Sequence, residues 1–167
     1  FKGGNINEPA MGLGHFFGLM PAEIVNQSRL FGVELDPLTA RLAKQLYPQA
    51  DVQNRGFQDV FIADDSMDLF ISNVPFADVT IVDENDARLR SLKASLHDYY
   101  FSKALRKTRP GGLVVFITSR YSLDKKASRW REDWQRHGNL LGAIRLPRTA
   151  FKGNANTEVV TDILIFQ

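Results

Sequence analysis

The sequence predicts an α/β fold: a doubly wound, mainly parallel seven-stranded sheet with an antiparallel last strand. Three observations carry this. Short apolar runs alternate with longer runs of helical period along the chain. Such alternation gives right-handed βαβ units and parallel pairing. The last two strand-like runs, "NLLGAIRLP" and "EVVTDILIFQ", are separated only by "RTAFKGNANT". That connection is too polar and too rich in Gly and Asn for a helix, so this pair is expected antiparallel.

The elements follow in order. "NINE" is a short first strand, followed by a glycine-rich turn, and "RLFGVEL" is the second strand. "PLTARLAKQLY" is a helix: Pro37 suits its first turn, Asp36 its N-cap, and Leu38, Leu42, Ala43 and Leu46 form an apolar face. Pro48 stops it. "ADVQNRGF" and "MDLFISNV" are the third and fourth strands. "LKASLHDYYFSKALRKT" is a long helix with Leu92, Leu96, Tyr99, Tyr100 and Leu105 on one face, ended by Pro110-Gly111-Gly112. "LVVFITS", apolar and β-branched, is a fully buried strand. "KASRWREDWQRHG" is an amphipathic helix with Trp130 and Trp134 on one face.

Composition bounds the function. With 44% hydrophobic and 24% charged residues, the 167-residue chain reads as one domain with a substantial core, residues 1–167. Phe1 at the start and the strand-like "TDILIFQ" at the end read as cut edges of a longer protein. No apolar run approaches the roughly 18 to 20 residues of a membrane span. Cysteine is absent, which excludes disulfides, thiolate metal sites and cysteine nucleophiles, and fits a cytoplasmic setting. No metal-ligand spacing joins the three His. The net charge is only +2, yet "KALRKTRPGG" and "RYSLDKKASRWREDWQR" gather basic residues in the second half. These are either solvated helix faces or a rim for phosphates.

An open doubly wound sheet binds ligands at the carboxyl ends of its strands. After strand one, Gly12, Gly14 and Gly18 have a spacing one residue longer than the dinucleotide fingerprint. Glu34, near the end of strand two, is placed to accept hydrogen bonds from ribose hydroxyls. After strand three, Phe57 can lie against a flat heterocycle and Asp59 can accept from an exocyclic amine. Together these describe an adenosine-bearing cofactor, either a nicotinamide dinucleotide or S-adenosylmethionine.

The turn after strand four, "NVPF", favours the second. An adenine amine is a poor nucleophile because its lone pair is delocalised. Two acceptors for its N–H groups make the nitrogen more electron-rich. The Asn73 side-chain oxygen and the Val74 carbonyl can be those acceptors. Pro75 holds Val74 extended, and Phe76 offers a face to the target ring. Positioning then supplies most of the catalysis, without a covalent enzyme intermediate.

At these residues the chain resembles the Rossmann-like N6-adenine DNA methyltransferases. Glu8-Pro9-Ala10-Met11-Gly12-Leu13-Gly14 matches their Asp/Glu-Pro-x-x-Gly-x-Gly cofactor loop. Asn73-Val74-Pro75-Phe76 matches three positions of their Asn/Asp-Pro-Pro-Tyr/Phe motif, with Val74 the departure. The chain is also similar to the methylase-like segment of large phage and plasmid proteins that carry a helicase. "EPAMGLGHFFG", "SLHDYYFSKALRKTRPGGLVVFITSRYSLD" and "LPRTAFKGNANTEVVTDILIF" carry that likeness, which spans nearly the whole chain. The resemblance implies a Rossmann-like methyltransferase fold with S-adenosylmethionine at Glu8, Pro9, Gly12, Gly14, Glu34, Phe57 and Asp59. It implies a catalytic Asn73-Val74-Pro75-Phe76 turn acting on an adenine flipped out of DNA. It also implies further target-recognition and helicase-like domains, and a base pocket bordered by Phe151, Lys152 and Asn154.

The residues leave other acceptors open: an RNA amine, a protein glutamine amide, or none at all in a silent DNA-binding scaffold. His97 and Asp98 are adjacent but lack a third group, and read as ordinary helix residues. His15 lies in the cofactor loop without a catalytic assignment.

Overall fold

The computed structural model describes residues 1–77, 79–92, 94–126, 129–155 and 158–167, and at 154 and 155 the backbone alone. The first half comprises β1 (Asn5–Glu8), α1 (His15–Leu19), α2 (Ala22–Val25), β2 (Arg29–Glu34), α3 (Pro37–Leu46), β3 (Asp51–Asn54), a 3-10 turn (Phe57–Asp59) and β4 (Met67–Asn73). Then come β5 (Thr80–Ile81), α4 (Ala87–Arg90), β6 (Ala94–Ser95), α5 (Leu96–Lys107) and β7 (Thr108–Ser119). The chain closes with α6 (Tyr121–Asp124), α7 (Arg129–Gln135), β8 (Leu140–Arg145), α8 (Lys152–Ala155) and β9 (Thr161–Phe166).

The seven strands lie in the order β3-β2-β1-β4-β7-β9-β8. Each pair from β3 across to β7 is parallel. Only β9 runs against its neighbours, β7 and β8. The mainly parallel sheet with an antiparallel last strand is therefore present. The chain proceeds one way from β1 to β3 and the other way from β4, so the order reverses between β1 and β4. Such a reversal opens a crevice at the strands' carboxyl ends.

Alternate residues of the central strands enter two separate cores. Phe70, Val114 and Phe116 pack with Tyr99, Phe101 and Trp134 from α5 and α7. Leu69, with Ile71, Leu113 and Val115 beside it, joins Phe17, Ala43 and Tyr47 on the other face. Trp134 is fully buried, its ring 4.7 Å from that of Phe101, and its indole N–H donates to Ser102 Oγ. Trp130 is half-buried on the same side, as the helical spacing predicts.

Local signals hold where they are local. Asp36 caps α3 by accepting from the Thr39 amide at 2.7 Å, with Pro37 in the first turn. The apolar face of α3 differs from expectation. Ala40 and Ala43 are fully buried, whereas Leu38, Leu42 and Leu46 stay 64%, 48% and 59% exposed. Two alanines three residues apart let the helix approach the sheet closely, and that contact sets its rotation over the hydrophobicity of the leucine row.

The long helix begins at Leu96, not Leu92, because Ala94–Ser95 pair with Thr80–Ile81 as a small antiparallel ribbon. It ends at Lys107, and Pro110-Gly111-Gly112 lie within the irregular start of β7 instead. A one-turn helix, α8, forms inside the connection expected to be pure loop.

Candidate active site

The first turn is built by two glycines that act differently. Both have left-handed backbones, φ +54° at Gly12 and φ +78° at Gly14. A Cβ on Gly12 would meet nothing within 4 Å, while one on Gly14 would fall 2.4 Å from the Tyr47 ring. The Tyr47 hydroxyl donates to the Gly14 carbonyl at 2.7 Å. Gly14 thus serves close packing. The Gly12 amide instead donates to Glu34 Oε2 at 2.8 Å, and the Asp36 amide donates to Glu34 Oε1 at 2.8 Å. The Glu34 carboxylate is held in place between the turn after β1 and the start of α3.

A cleft of about 720 Å³ opens here, lined by Pro9, Glu34, Phe57 and Pro75 among the residues singled out from sequence. Gly56, Gln58, Leu96 and Tyr100 also contribute to its walls, whereas Glu8, Gly12 and Gly14 lie outside its lining. Tyr100 keeps its phenol proton: burial raises its pKa, and the Glu34 charge adds to the shift. Phe57 is 1% exposed and packed against Phe70, Tyr99 and Tyr100, so its ring is fixed. Asp59 is exposed on the turn, with its carboxylate taking a hydrogen bond from the Gln58 side chain at 3.0 Å. Gln58, not Asp59, lines the cleft.

Glu8 lies beneath this turn, 2% exposed. Burial pushes its carboxyl up to about 8, against the opposing pull of the Phe16 and Phe17 amides. Its Oε2 has no partner. The donor set fits S-adenosylmethionine. Glu34 would hold the ribose hydroxyls, and Gly56, Phe57 and Gln58 the adenine. Glu8, with its unpartnered oxygen, suits the ammonium end.

Asn73 ends β4 with its side chain exposed. Val74 is 1% exposed, and its amide donates to the Ile117 carbonyl at 3.0 Å, which fixes the turn against β7. Pro75 and Phe76 then part company. Pro75 lines the cleft just described. Phe76, 43% exposed, lines a second cavity of about 420 Å³ with Ser95, His97, Ser119, Tyr121 and Lys125. Ala77 borders both cavities. Pro75 and Phe76 thus face different cavities, while Asn73 and Val74 lie outside the lining of both.

The wall of the second chamber is a polar cluster. Lys125 Nζ donates to Asp98 Oδ2 at 3.0 Å and to Ser95 Oγ at 3.1 Å, and lies 3.3 Å from His97 Nε2. Burial, aided by the Lys125 charge, pushes the His97 pKa down despite the carboxylate of Asp98. His97, in the first turn of α5, lines this cavity, while Asp98 is buried behind it and does not. Tyr121 and Ser119 also escaped the sequence reading. Their position directly at the carboxyl end of β7 is the signal that could have found them.

Phe151 and Lys152 lie outside the lining of both cavities. Phe151 is half-buried just before α8, and the Lys152 ammonium pairs with Glu158 at 3.1 Å. The side chain of Asn154 lies outside the described residues.

Comparison with solved structures now places the architecture. The chain superposes on the type I restriction-modification methyltransferase subunit of Streptococcus thermophilus with a TM-score of 0.76, covering 99% of this chain and 40% of that one at 16% identity. It has the Rossmann-like methyltransferase fold. The methyltransferase fold also aligns with a TehB-like S-adenosylmethionine-dependent enzyme of Corynebacterium glutamicum, with a TM-score of 0.59, 17% identity, and 98% and 79% of the two chains covered. In sequence, this methyltransferase-fold chain is 28% identical over 167 residues to the "Defense against restriction protein B" of Escherichia phage P1. The match covers 97% of this chain but only 7% of that much longer protein. No family model matches the chain.

Proposed function

We propose that the chain is an S-adenosylmethionine-dependent methyltransferase domain that methylates the exocyclic N6 amine of adenine in DNA. One observation carries the reading: consecutive residues Pro75 and Phe76 line different cavities, and the next residue, Ala77, borders both. A group-transfer enzyme needs two such chambers, one for donor and one for acceptor, with the reacting atoms at their junction. When bound, S-adenosylmethionine supplies a methyl group on a positively charged sulfur.

The residues of this chain orient the acceptor. The Asn73 side-chain oxygen and the Val74 carbonyl accept the amine's N–H groups, and Phe76 supports its ring. The exposed end of β4 leaves Asn73 open to a base that has been rotated out of a duplex. DNA as substrate is supported by two names: the restriction-modification subunit on which the fold superposes and the restriction-related phage protein. Target recognition is assigned to further domains of a longer protein, consistent with the small share of the phage relative that this chain spans.

The test is methyl incorporation from labelled S-adenosylmethionine into DNA, RNA and protein acceptors. Transfer to adenine in DNA is expected. Asn73→Ala should abolish it and leave cofactor binding intact. Normal transfer by that variant would overturn the mechanism, and transfer only to RNA or protein would overturn the substrate.

A further inference from the structure

Lys103 is a polar residue in an apolar place. It sits in the middle of α5, 2% exposed, among Tyr99, Tyr100 and Ala104. Burying an ammonium ion is costly unless it is fully paired. Here the ion is paired with the backbone of one particular turn and of Val60, the residue that caps it. Its Nζ donates to the carbonyls of Phe57 at 2.8 Å and Val60 at 3.0 Å, with Gln58 O at 3.5 Å. It also stands 4.9 Å from the centre of the Phe57 ring.

The turn so gripped, Phe57–Asp59, is three residues long. A 3-10 segment of that length has few internal hydrogen bonds with which to hold its shape. Its other side forms part of the cleft wall, through Gly56, Phe57 and Gln58. The ammonium gathers the turn's carbonyls from behind and leaves the opposite surface to a ligand.

A second link leaves Lys103. Its ammonium pairs with Asp83 Oδ2 at 3.3 Å. Asp83 is fully buried, and it accepts from the Tyr99 hydroxyl at 2.6 Å and from the Asn85 and Asp86 amides at 2.9 and 3.0 Å. The Asn85 side chain donates in turn to Gln58 O at 3.2 Å. Asp83 closes the segment that leaves the Asn73–Phe76 motif. The cleft turn and the end of that segment therefore rest on one buried ion pair.

We propose that Lys103, locked by Asp83, is a positioning residue for the adenosine end of the cofactor. It touches no ligand; it sets the turn that does. The inference rests on the cofactor reading above. Two features separate it from a general structural role. The contact is confined to one side of α5. The same helix also carries an independent buried ion pair, Arg106 with Asp133 at 2.7 Å, which faces α7 and touches no part of the cleft.

That second pair is the control. S-adenosylmethionine and adenosine binding would be measured by calorimetry on the full-length wild type, Lys103→Met and Arg106→Met, with melting temperatures for each. Both variants should melt lower. Lys103→Met should weaken both ligands by about tenfold or more, and by a similar factor, because the fault lies at the moiety they share. Arg106→Met should leave both affinities within about twofold of wild type.

Unchanged affinity in Lys103→Met, or equal weakening in both variants, overturns the proposal. If Lys103→Met does not fold, Asp83→Asn takes its place with the same expectations. Failure of the wild type to bind either ligand would overturn the cofactor reading itself, a result distinct from any difference between the variants.

Discussion

The Gly12 amide and the Glu34 carboxylate meet at 2.8 Å, joining the turn after β1 to the acid at the end of β2. Neither residue is near the other in sequence, yet each fixes the other. Glu34→Ala should therefore do two things at once. It removes the proposed acceptor for ribose hydroxyls, and it leaves the Gly12 and Asp36 amides without their partner. Calorimetry should show S-adenosylmethionine affinity falling by about tenfold or more. Glu34→Gln retains acceptor oxygen and should fall between this and wild type.

The two left-handed glycines separate strain from crowding. Gly12→Ala should cost about 1–2 kcal/mol, the price of a left-handed backbone for an L-residue. Gly14→Ala carries the same strain and drives a methyl group into the Tyr47 ring. Urea unfolding should show a clearly larger loss at Gly14 than at Gly12.

Glu8 gives the stability a pH dependence of predictable sign. Its folded carboxyl titrates at about 8, well above the ordinary value of 4.5 that it regains on unfolding. Between those values the native state holds a proton that the unfolded chain has lost, so this contribution declines as pH rises from about 4.5 to about 8. It is fully present at lower pH. Glu8→Gln should flatten that part of the profile in urea titrations. A cation bound beside Glu8 favours its ionised form. Cofactor binding at pH 7 should accordingly release protons, read as a heat that depends on the buffer's ionisation enthalpy.

On the proposed function, the two cavities should respond independently to substitution. Phe76→Ala and Tyr121→Ala alter the second cavity and should raise KM for the nucleic acid by about tenfold, with S-adenosylmethionine affinity unchanged. A comparable loss of cofactor affinity would show that the chambers are not separate.

What the sequence disclosed depended on how far each signal reached. The Asp36–Pro37 cap, the β-branched strand ending at Ser119 and the Asn73–Phe76 turn are encoded within a few residues, and all three were legible. The divergence of Pro75 and Phe76 into different cavities was legible only as a motif. The two cavities draw walls from β2, the turn after β3, α5 and the end of β7, which only tertiary folding brings together. His97 gave no useful local signal, because its neighbours Ser95 and Asp98 acquire meaning through Lys125, 28 residues on. The leucine row of α3 misled for the opposite reason. Hydrophobic period names a stripe, but close approach selects small residues, and Ala40 and Ala43 took the buried face.

The placement of β9 bears on how the chain is made. This last strand lies between β7 and β8, both of which leave the ribosome before it. β8 pairs in the sheet only with Thr161–Phe166, so its backbone edge is unpaired until they arrive. The strands from β3 across to β7 can therefore pair during synthesis before β8 gains its partner. An unpaired strand edge of this kind is open to misassembly, and a pause in translation ahead of Thr161 would prolong its exposure.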